Sequence, residues 1–341
     1  MKVGESPNHI DPAVVGEPRS LAVVVIGRNE GDRLCRCLES VALHAGLVVY
    51  VDSGSTDNSV EIAGKYNALV INLDMTKPFT AARARNAGFR RAREHLPAAE
   101  YVKFVDGDCE VASDWIQKAS RFLDERTDVV AVTGRRRERF PERSVYNWLC
   151  DLDWQWPAGQ VLAFGGDVLI RAQALEQVNG YREDLIAGEE PELCVRLRAR
   201  GWKIWSLPTE MTAHDANITR FSQWWKRTTR TGFAYAEGAH LHGSPPERHW
   251  IRETRSGWIW GALVPLLIAA ALPIVGAYGL LGLLIYPLQI IRLAMRESGT
   301  VRRRLLRSWF LVLGKFPQAL GQLKFVANQF LGRRAKLIEY K

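Results

Sequence analysis

Residues 21–59 read LAVVVIGRNEGDRLCRCLESVALHAGLVVYVDSGSTDNS, and the spacing of apolar positions in this stretch decides the fold class. Leu21 to Gly27 is an unbroken apolar run rich in Val, as expected of a strand buried on both faces of a parallel sheet. Asp32 to His44 then carries Leu34, Leu38 and Val41 at helical spacing. Leu47 to Val51 is a second buried strand, closed by the polar turn Asp52 to Asp57, where Thr56 or Asp57 can cap a helix running to Lys65. Outward from this core, Ala68 to Leu73 reads as a third strand and Thr80 to His95 as a basic, Ala-rich helix. Tyr101 to Val105 is a fourth strand that ends at Asp106-Gly107-Asp108. Such alternation predicts an α/β fold, an open and mostly parallel sheet with helices on both faces. Ligands of such sheets bind beyond the carboxyl ends of the strands. Arg28, Asn29, Glu30, Asp52, Asp57, Asp106 and Asp108 all fall at those ends.

The second half is less regular. Val129 to Thr133 is a further strand, and Arg135 to Arg139 reads as a solvated charged edge. Phe140 to Gly166 is Trp-rich and irregular, an excursion facing substrate. Arg171 to Val178 and Glu189 to Arg200 read as helices, and Trp202 to Leu207 as a short strand. Five cysteines without a CxxC pair give neither a disulfide framework nor a zinc site, which fits a reducing compartment. The N-terminus is polar and Pro-rich, with no apolar stretch typical of a cleavable signal peptide.

The net charge of +9 is unevenly placed. Residues 301–341 hold ten Lys and Arg against one acid, Glu339, so the first 300 residues are close to neutral. A nucleic-acid domain spreads its basic face over the folded body; a basic tail after an apolar segment reads instead as a membrane flank, with no nucleic-acid partner. From Ser256 to Ile291 no residue is charged. One helix of that length would run roughly 54 Å, against a hydrocarbon core of ~30 Å. Pro273, Gly276 and Gly279 interrupt the run, and arginines flank both ends. The expectation is a hairpin of two short transmembrane helices over 256–295 with both ends in the cytoplasm, and Trp258 and Trp260 at the interface. The alternative is a helical hairpin buried in a soluble core. Leu305 to Leu331 carries Lys315 and Lys324, whose burial in lipid is costly, so a pair of interfacial amphipathic helices fits better than a third span.

Two carboxylates separated by one residue after a buried strand can reach one hard cation, and oxygen ligands suit Mg²⁺ or Mn²⁺. The competing explanation of Asp106-Gly107-Asp108 is a plain Asp-Gly turn. The runs VVVIGRNE, VDSGSTDNS, ARARNAG and VKFVDGDCEV, followed by GGDVLIRAQALEQVNGY and AGEEPELCVRLRARGW, resemble in order the family-2 glycosyltransferases with the GT-A fold, over about Leu21 to Pro208. The resemblance implies a Rossmann-like nucleotide-sugar domain over 19–250, after a flexible 1–18, followed by the hairpin and a basic amphipathic tail over 301–341.

By position, the resemblance places Arg28, Glu30, Asp52, Arg85, Asn86 and Gly166 with the nucleotide sugar, and makes Asp106 and Asp108 the metal-binding DxD pair. The family usually has Glu-Asp at the catalytic acidic motif, with the second residue as base. Here Glu190 takes that place, one methylene longer, with Glu189 as support. A carboxylate there can remove the proton of an acceptor hydroxyl; two acids before Pro191 also simply favour a helix N-terminus. His214 is expected to complete the metal shell, with Asp215 as the alternative. FSQWWKRTTRTG (221–232) is only loosely similar to the QxxRW segment of processive members, because its Trp pair precedes its basic residues. Arg227 and Arg230 can close over the diphosphate, or the segment can lie on the membrane with Trp224 and Trp225 at headgroup depth. The implied activity is inverting, metal-dependent transfer from a nucleotide-diphosphate sugar to a lipid-linked glycan or polyprenyl phosphate at the cytoplasmic face of the inner membrane. Two rivals are a nucleotidyltransferase, which would want a basic Gly-rich loop where IGRNEGD stands, and a non-catalytic sugar-nucleotide-binding membrane scaffold.

Overall fold

The computed structural model of the chain describes residues 21–333 and 337–338. The expected flexible 1–18 and part of the basic tail lie outside the described residues. The chain opens as expected: β1 (Leu21–Gly27), α1 (Asp32–Ala42), β2 (Leu47–Asp52), α2 (Ser59–Lys65), β3 (Leu69–Asn72), α3 (Ala81–His95), β4 (Tyr101–Asp106). These four strands are parallel, in the order β3-β2-β1-β4. Alternate residues of β1 feed two cores. Ala22, Val24 and Ile26 pack with Ala82, Ala84 and Phe89 of α3, whereas Leu21, Val23 and Val25 pack with Leu34, Leu38 and Val41 of α1. The period of two in a strand assigns the faces. Gly88 lets α3 lie against the sheet, since a Cβ there would stand 2.3 Å from Val24 Cγ1. Thr80 caps α3 by accepting from the Arg83 amide at 3.1 Å.

The second half continues with β5 (Cys109–Val111), α4 (Trp115–Glu125), β6 (Val129–Glu138), α5 (Val145–Asp153), β7 (Gly159–Val161), β8 (Val168–Arg171), α6 (Ala172–Gln177), α7 (Glu189–Ala199) and β9 (Lys203–His214). It extends the sheet as β4-β8-β6-β9-β5, with β7 also on β9, and the described residues form one nine-stranded sheet. Here the pairing is mixed: β8 is antiparallel to both β4 and β6, while β6 and β9 are parallel. The parallel character is therefore confined mainly to the first four strands.

Three local expectations change. The arginine run is not a solvated edge, because β6 continues through it to Glu138 and turns Arg136 and Glu138 inward. The final strand runs on to His214 instead of ending at Leu207. The Trp-rich excursion holds α5, capped by Ser144 accepting from the Asn147 amide at 3.0 Å.

Beyond the sheet, α8 (Phe221–His242) leads to α9 (Ile251–Trp258), a π-helical turn at Ile259–Leu263, α10 (Val264–Val275), a 3₁₀ run at Gly276–Leu284 and α11 (Ile285–Ala294). Ile251–Ala294 is long and apolar enough to cross a membrane by length and composition, and its most apolar stretch is almost wholly exposed. It doubles back on itself: Tyr286 Oη donates to the Trp260 carbonyl at 2.9 Å, and Gly282 sits on Ile268. Then follow α12 (Val301–Leu313) and α13 (Lys315–Phe330). The α13 helix packs tightly on α8 through glycines. A Cβ on Gly232 would meet the Gln318 carbonyl at 2.1 Å, and one on Gly321 the Thr229 carbonyl at 2.0 Å. Trp224 is buried among Tyr146 and Phe310, so it joins α8 to α5 and α12 and does not lie at a membrane surface.

Candidate active site

At the end of β4 the chain turns sharply. Gly107 donates its amide to the Ile26 carbonyl at 2.8 Å, and a Cβ there would stand 3.1 Å from Glu30 Cγ. The two carboxylates of the turn then diverge. Asp106 Oδ1 receives Arg85 Nη2 at 2.9 Å and Oδ2 receives Arg136 Nη2 at 3.3 Å. Asp108 instead faces His214, Oδ1 to Nε2 3.4 Å, because the antiparallel pairing of β5 with β9 sets Cys109 opposite His214. His214 stands edge-on to the Trp154 ring, centroids 4.7 Å apart, with Glu138 Oε2 3.8 Å from Nδ1.

Asp108, Cys109 and His214 each bring one potential ligand atom within 4.8 Å of the others. The carboxylate and imidazole suit Mg²⁺ or Mn²⁺. Burial pushes the Cys109 thiol up, well above its ordinary range, so this sulfur stays protonated and is a poor ligand for a hard cation. Asp106 belongs to a second such group, with Cys109 and Asp167. The residues therefore fit a cation at Asp108 and His214, while Asp106 is engaged by arginines.

Two clefts open on the carboxyl ends of the strands. One, of about 760 Å³, is lined by Arg28, Glu30, Ser53, Asp108 and His214. The other, of about 830 Å³, is lined by Arg85, Gly166, Glu189, Glu190 and Trp250. Asp106, Arg136, Arg227 and Arg230 line both. The two clefts thus meet at one carboxylate ringed by cations.

On the second cleft, Gly188 takes a left-handed conformation (φ 82°) just before α7 and presents Glu189 and Glu190 at the helix start. Arg85, 3% exposed, bonds both, Nη1 to Glu189 Oε1 at 2.9 Å and to Glu190 Oε1 at 3.0 Å. It therefore ties the acidic pair to Asp106. Burial, reinforced by the adjacent Glu189 charge and opposed by Arg85, lifts the Glu190 carboxyl from its ordinary 4.5 to about 7. The Gly166 backbone lies against this group; a Cβ there would come within 2.7 Å of both Arg85 Nη2 and Asp106 Oδ2.

Two expected ligand residues are placed elsewhere. Asp52 is buried and spends its carboxylate on its own turn, accepting from the Gly54 and Ser55 amides at 3.0 and 2.9 Å. Asn86 is saturated by residues 181–183. It donates to the Tyr181 carbonyl at 2.8 Å and accepts from the Tyr181 amide at 2.9 Å. Neither lines a cleft described above; Ser53 does, in place of Asp52. Asp215 lies 3.8 Å from Arg143 and lines neither cleft.

Arg136 and Asp167 were not singled out by sequence. Arg136 lies over the Trp154 ring at 4.9 Å, between Asp106 and the buried Asp167, which is 3.4 Å from its Nε. Asp167 also accepts from the Thr212 hydroxyl at 2.8 Å and the Asp106 amide at 3.3 Å, so it braces the turn from behind. The signal for Arg136 is the strand period: in VVAVTGRRRE, alternate positions reach Glu138 and Arg136 on one face.

The model of the glycosyl transferase family 2 matches residues 22–161, which hold the Asp106–Asp108 turn and part of the first cleft. Among curated proteins, an uncharacterized glycosyltransferase of Escherichia coli, YibD, is 34% identical over 103 residues, 29% of this chain and 28% of that protein. Glycosyltransferase AglE of Haloferax volcanii is 21% identical over 225 residues, covering 62% of this chain and 71% of the relative. The chain therefore spans under a third of the first of these relatives. Among solved structures, a mannosyltransferase of Pyrobaculum calidifontis, in complex with GDP-Man and Mn²⁺, superposes with a TM-score of 0.61 at 20% identity, covering 91% of this chain and 89% of that one. The sheet topology and the superposition give the chain the GT-A fold, and its segment 22–161 matches the family-2 glycosyltransferases.

Proposed function

We propose that the protein is an inverting, metal-dependent glycosyltransferase that takes a sugar from a nucleotide-diphosphate donor in the first cleft to an acceptor hydroxyl in the second. The observation that carries this reading is the junction: Asp106, Arg136, Arg227 and Arg230 line both clefts, so cationic groups gather where a diphosphate would leave. The Mn²⁺ complex of the Pyrobaculum mannosyltransferase and the Asp108–His214 pair support a divalent cation here. Mg²⁺ or Mn²⁺ held by Asp108 and His214 would supply Lewis-acid stabilisation to the leaving diphosphate.

The chain's own residues do the rest. Arg136, Arg227 and Arg230 offset the negative charge that builds on the leaving group. Glu190 takes the proton of the acceptor hydroxyl at its carboxylate, and a group lifted to about 7 is suited to that exchange near neutral pH. Arg85 positions Glu190 and Glu189 relative to Asp106. A base in the cleft opposite the donor favours single displacement with inversion. The exposed apolar run and its arginine flanks favour a site at the cytoplasmic face of the inner membrane, with the catalytic domain in the cytoplasm and a lipid-linked or otherwise membrane-associated acceptor.

The test is transfer from a panel of UDP- and GDP-sugars by the purified full chain with Mn²⁺, with product anomers assigned by NMR. A product of inverted configuration is expected, and transfer should fall by roughly 10²–10⁴-fold in Glu190→Gln while donor binding persists. A retained anomer, or wild-type turnover in the variant, would contradict the assignment.

A further inference from the structure

The two arms of the apolar hairpin rise from one level. At that level Tyr286 Oη donates to the Trp260 carbonyl at 2.9 Å, the two rings meet at 6.2 Å, and Phe316 of α13 packs on Tyr286 at 5.6 Å. At and below it the arm is seated on α13. A Cβ on Gly261 would lie 2.1 Å from the Lys315 carbonyl, and one on Gly257 2.1 Å from Gln322 Nε2. Above it the arms pack on one another, at Gly282 against Ile268 and Gly279 against Leu272. Trp and Tyr side chains at one height mark the level at which an apolar body meets the headgroups.

From that level the reach is limited. Fifteen residues separate Trp260 from Val275, a rise of ~22 Å at 1.5 Å per residue. The return through Gly276–Leu284, at about 2.0 Å per residue in a 3₁₀ helix, covers about the same depth. A hydrocarbon core is ~30 Å thick, so the turn stops about 8 Å short of the far side.

The composition of the turn agrees with this depth. Pro273 to Leu280 reads PIVGAYGL, with no charged or amide side chain, and Ile274 and Tyr278 are 82% and 79% exposed. A loop emerging into water on the far side has no reason to be so apolar. The 3₁₀ run also keeps backbone donors and acceptors paired through the return, which lipid requires because it offers an unpaired group no partner. The base is the opposite in character: Arg252, Arg255, Arg292, Arg296 and the Arg302–Arg304 run all stand on the near side, complementary to anionic headgroups.

We infer that the hairpin is a monotopic anchor: it enters an anionic bilayer from the arginine side and turns back inside the hydrocarbon, so that the chain does not reach the opposite surface. This rests on the membrane association proposed above, and it replaces the expected pair of transmembrane passes. The catalytic clefts and the anchor base then share one leaflet.

The experiment is cysteine accessibility in the full chain, in a Cys35→Ser background because Cys35 is the one cysteine of the five that is not fully buried. Tyr278→Cys marks the turn and Ser298→Cys the base. A membrane-impermeant maleimide is applied to spheroplasts and to inverted membrane vesicles of a bacterial host, then again after SDS. Tyr278→Cys should stay unlabelled in both preparations and label fully in SDS, while Ser298→Cys labels in inverted vesicles alone. Labelling of Tyr278→Cys in spheroplasts would show that the hairpin crosses. Its labelling in inverted vesicles, or release of the protein by alkaline carbonate, would show that lipid does not cover it. Either result overturns the anchor, and sugar transfer by the same variants reads the catalytic proposal separately.

Discussion

In the proposed reaction, Glu190 and Arg136 are the side chains on which the chemistry turns. Burial beside Glu189 holds the Glu190 carboxyl at about 7, above its ordinary 4.5. In the folded protein it keeps a proton that the unfolded chain would release, so its contribution to stability falls as pH rises between about 4.5 and 7. The carboxylate needed for proton removal appears over the upper part of that window. The logarithm of kcat/KM for transfer should therefore rise with pH and level off above about 7; a profile flat from pH 5 to 8 would separate Glu190 from the rate. Arg136, stacked on Trp154 and facing Asp106, should matter for the donor: Arg136→Met is expected to weaken nucleoside-diphosphate binding about tenfold or more, as lost charge-assisted hydrogen bonds do. Circular dichroism should be unchanged, and wild-type affinity in this variant would remove Arg136 from the site. The acids of the turn and of the α7 start were legible in the sequence because strand ends and helix starts locate them without coordinates. Asp52 and Asn86 line neither cleft and bond nearby backbone groups, which sequence does not show because short polar side chains at strand and helix ends can take either part. Arg136 was hidden inside a run of five charged residues, where only the strand period separates inward from outward positions.

Among the elements, the four parallel strands and their helices could be read from apolar periodicity alone, since β1, β2 and β4 are largely buried on both faces and the edge strand β3 is half-buried. The mixed second half could not. β8 inserts between β4 and β6 through long-range pairing, and β9 is extended past Leu207 by neighbours distant in sequence. Glycine seats, likewise, appear only once two elements are in contact. Gly88 is the clearest case: its substitution by Ala would drive a methyl into Val24. Overpacking of this kind costs about 1–3 kcal/mol, so Gly88→Ala should lower the melting temperature by several degrees. An unchanged melting temperature would show that α3 can move off the sheet freely. Similar contacts at Gly232 and Gly321 bind α13 to α8, the helix that carries Arg227 and Arg230 into the clefts.

As a whole, the molecule joins a nearly neutral catalytic body to an apolar hairpin with a basic base. Attraction of such a base to anionic lipid is worth about 1 kcal/mol per cation near the surface. Replacing Arg302, Arg303 and Arg304 together by Gln should thus weaken partitioning of the protein onto anionic over neutral vesicles by about two orders of magnitude at low salt, read by flotation. An undiminished preference would move the contact elsewhere. The catalytic claim itself rests on the turn at the end of β4, and it is tested most directly by calorimetric titration of UDP and GDP into the full chain, with Mn²⁺ and with EDTA, for wild type and Asp108→Asn. Saturable binding of at least one nucleotide that requires Mn²⁺ and is lost in the variant is the predicted result. Binding of equal strength in EDTA, unchanged by Asp108→Asn, would contradict a metal-held diphosphate at this site.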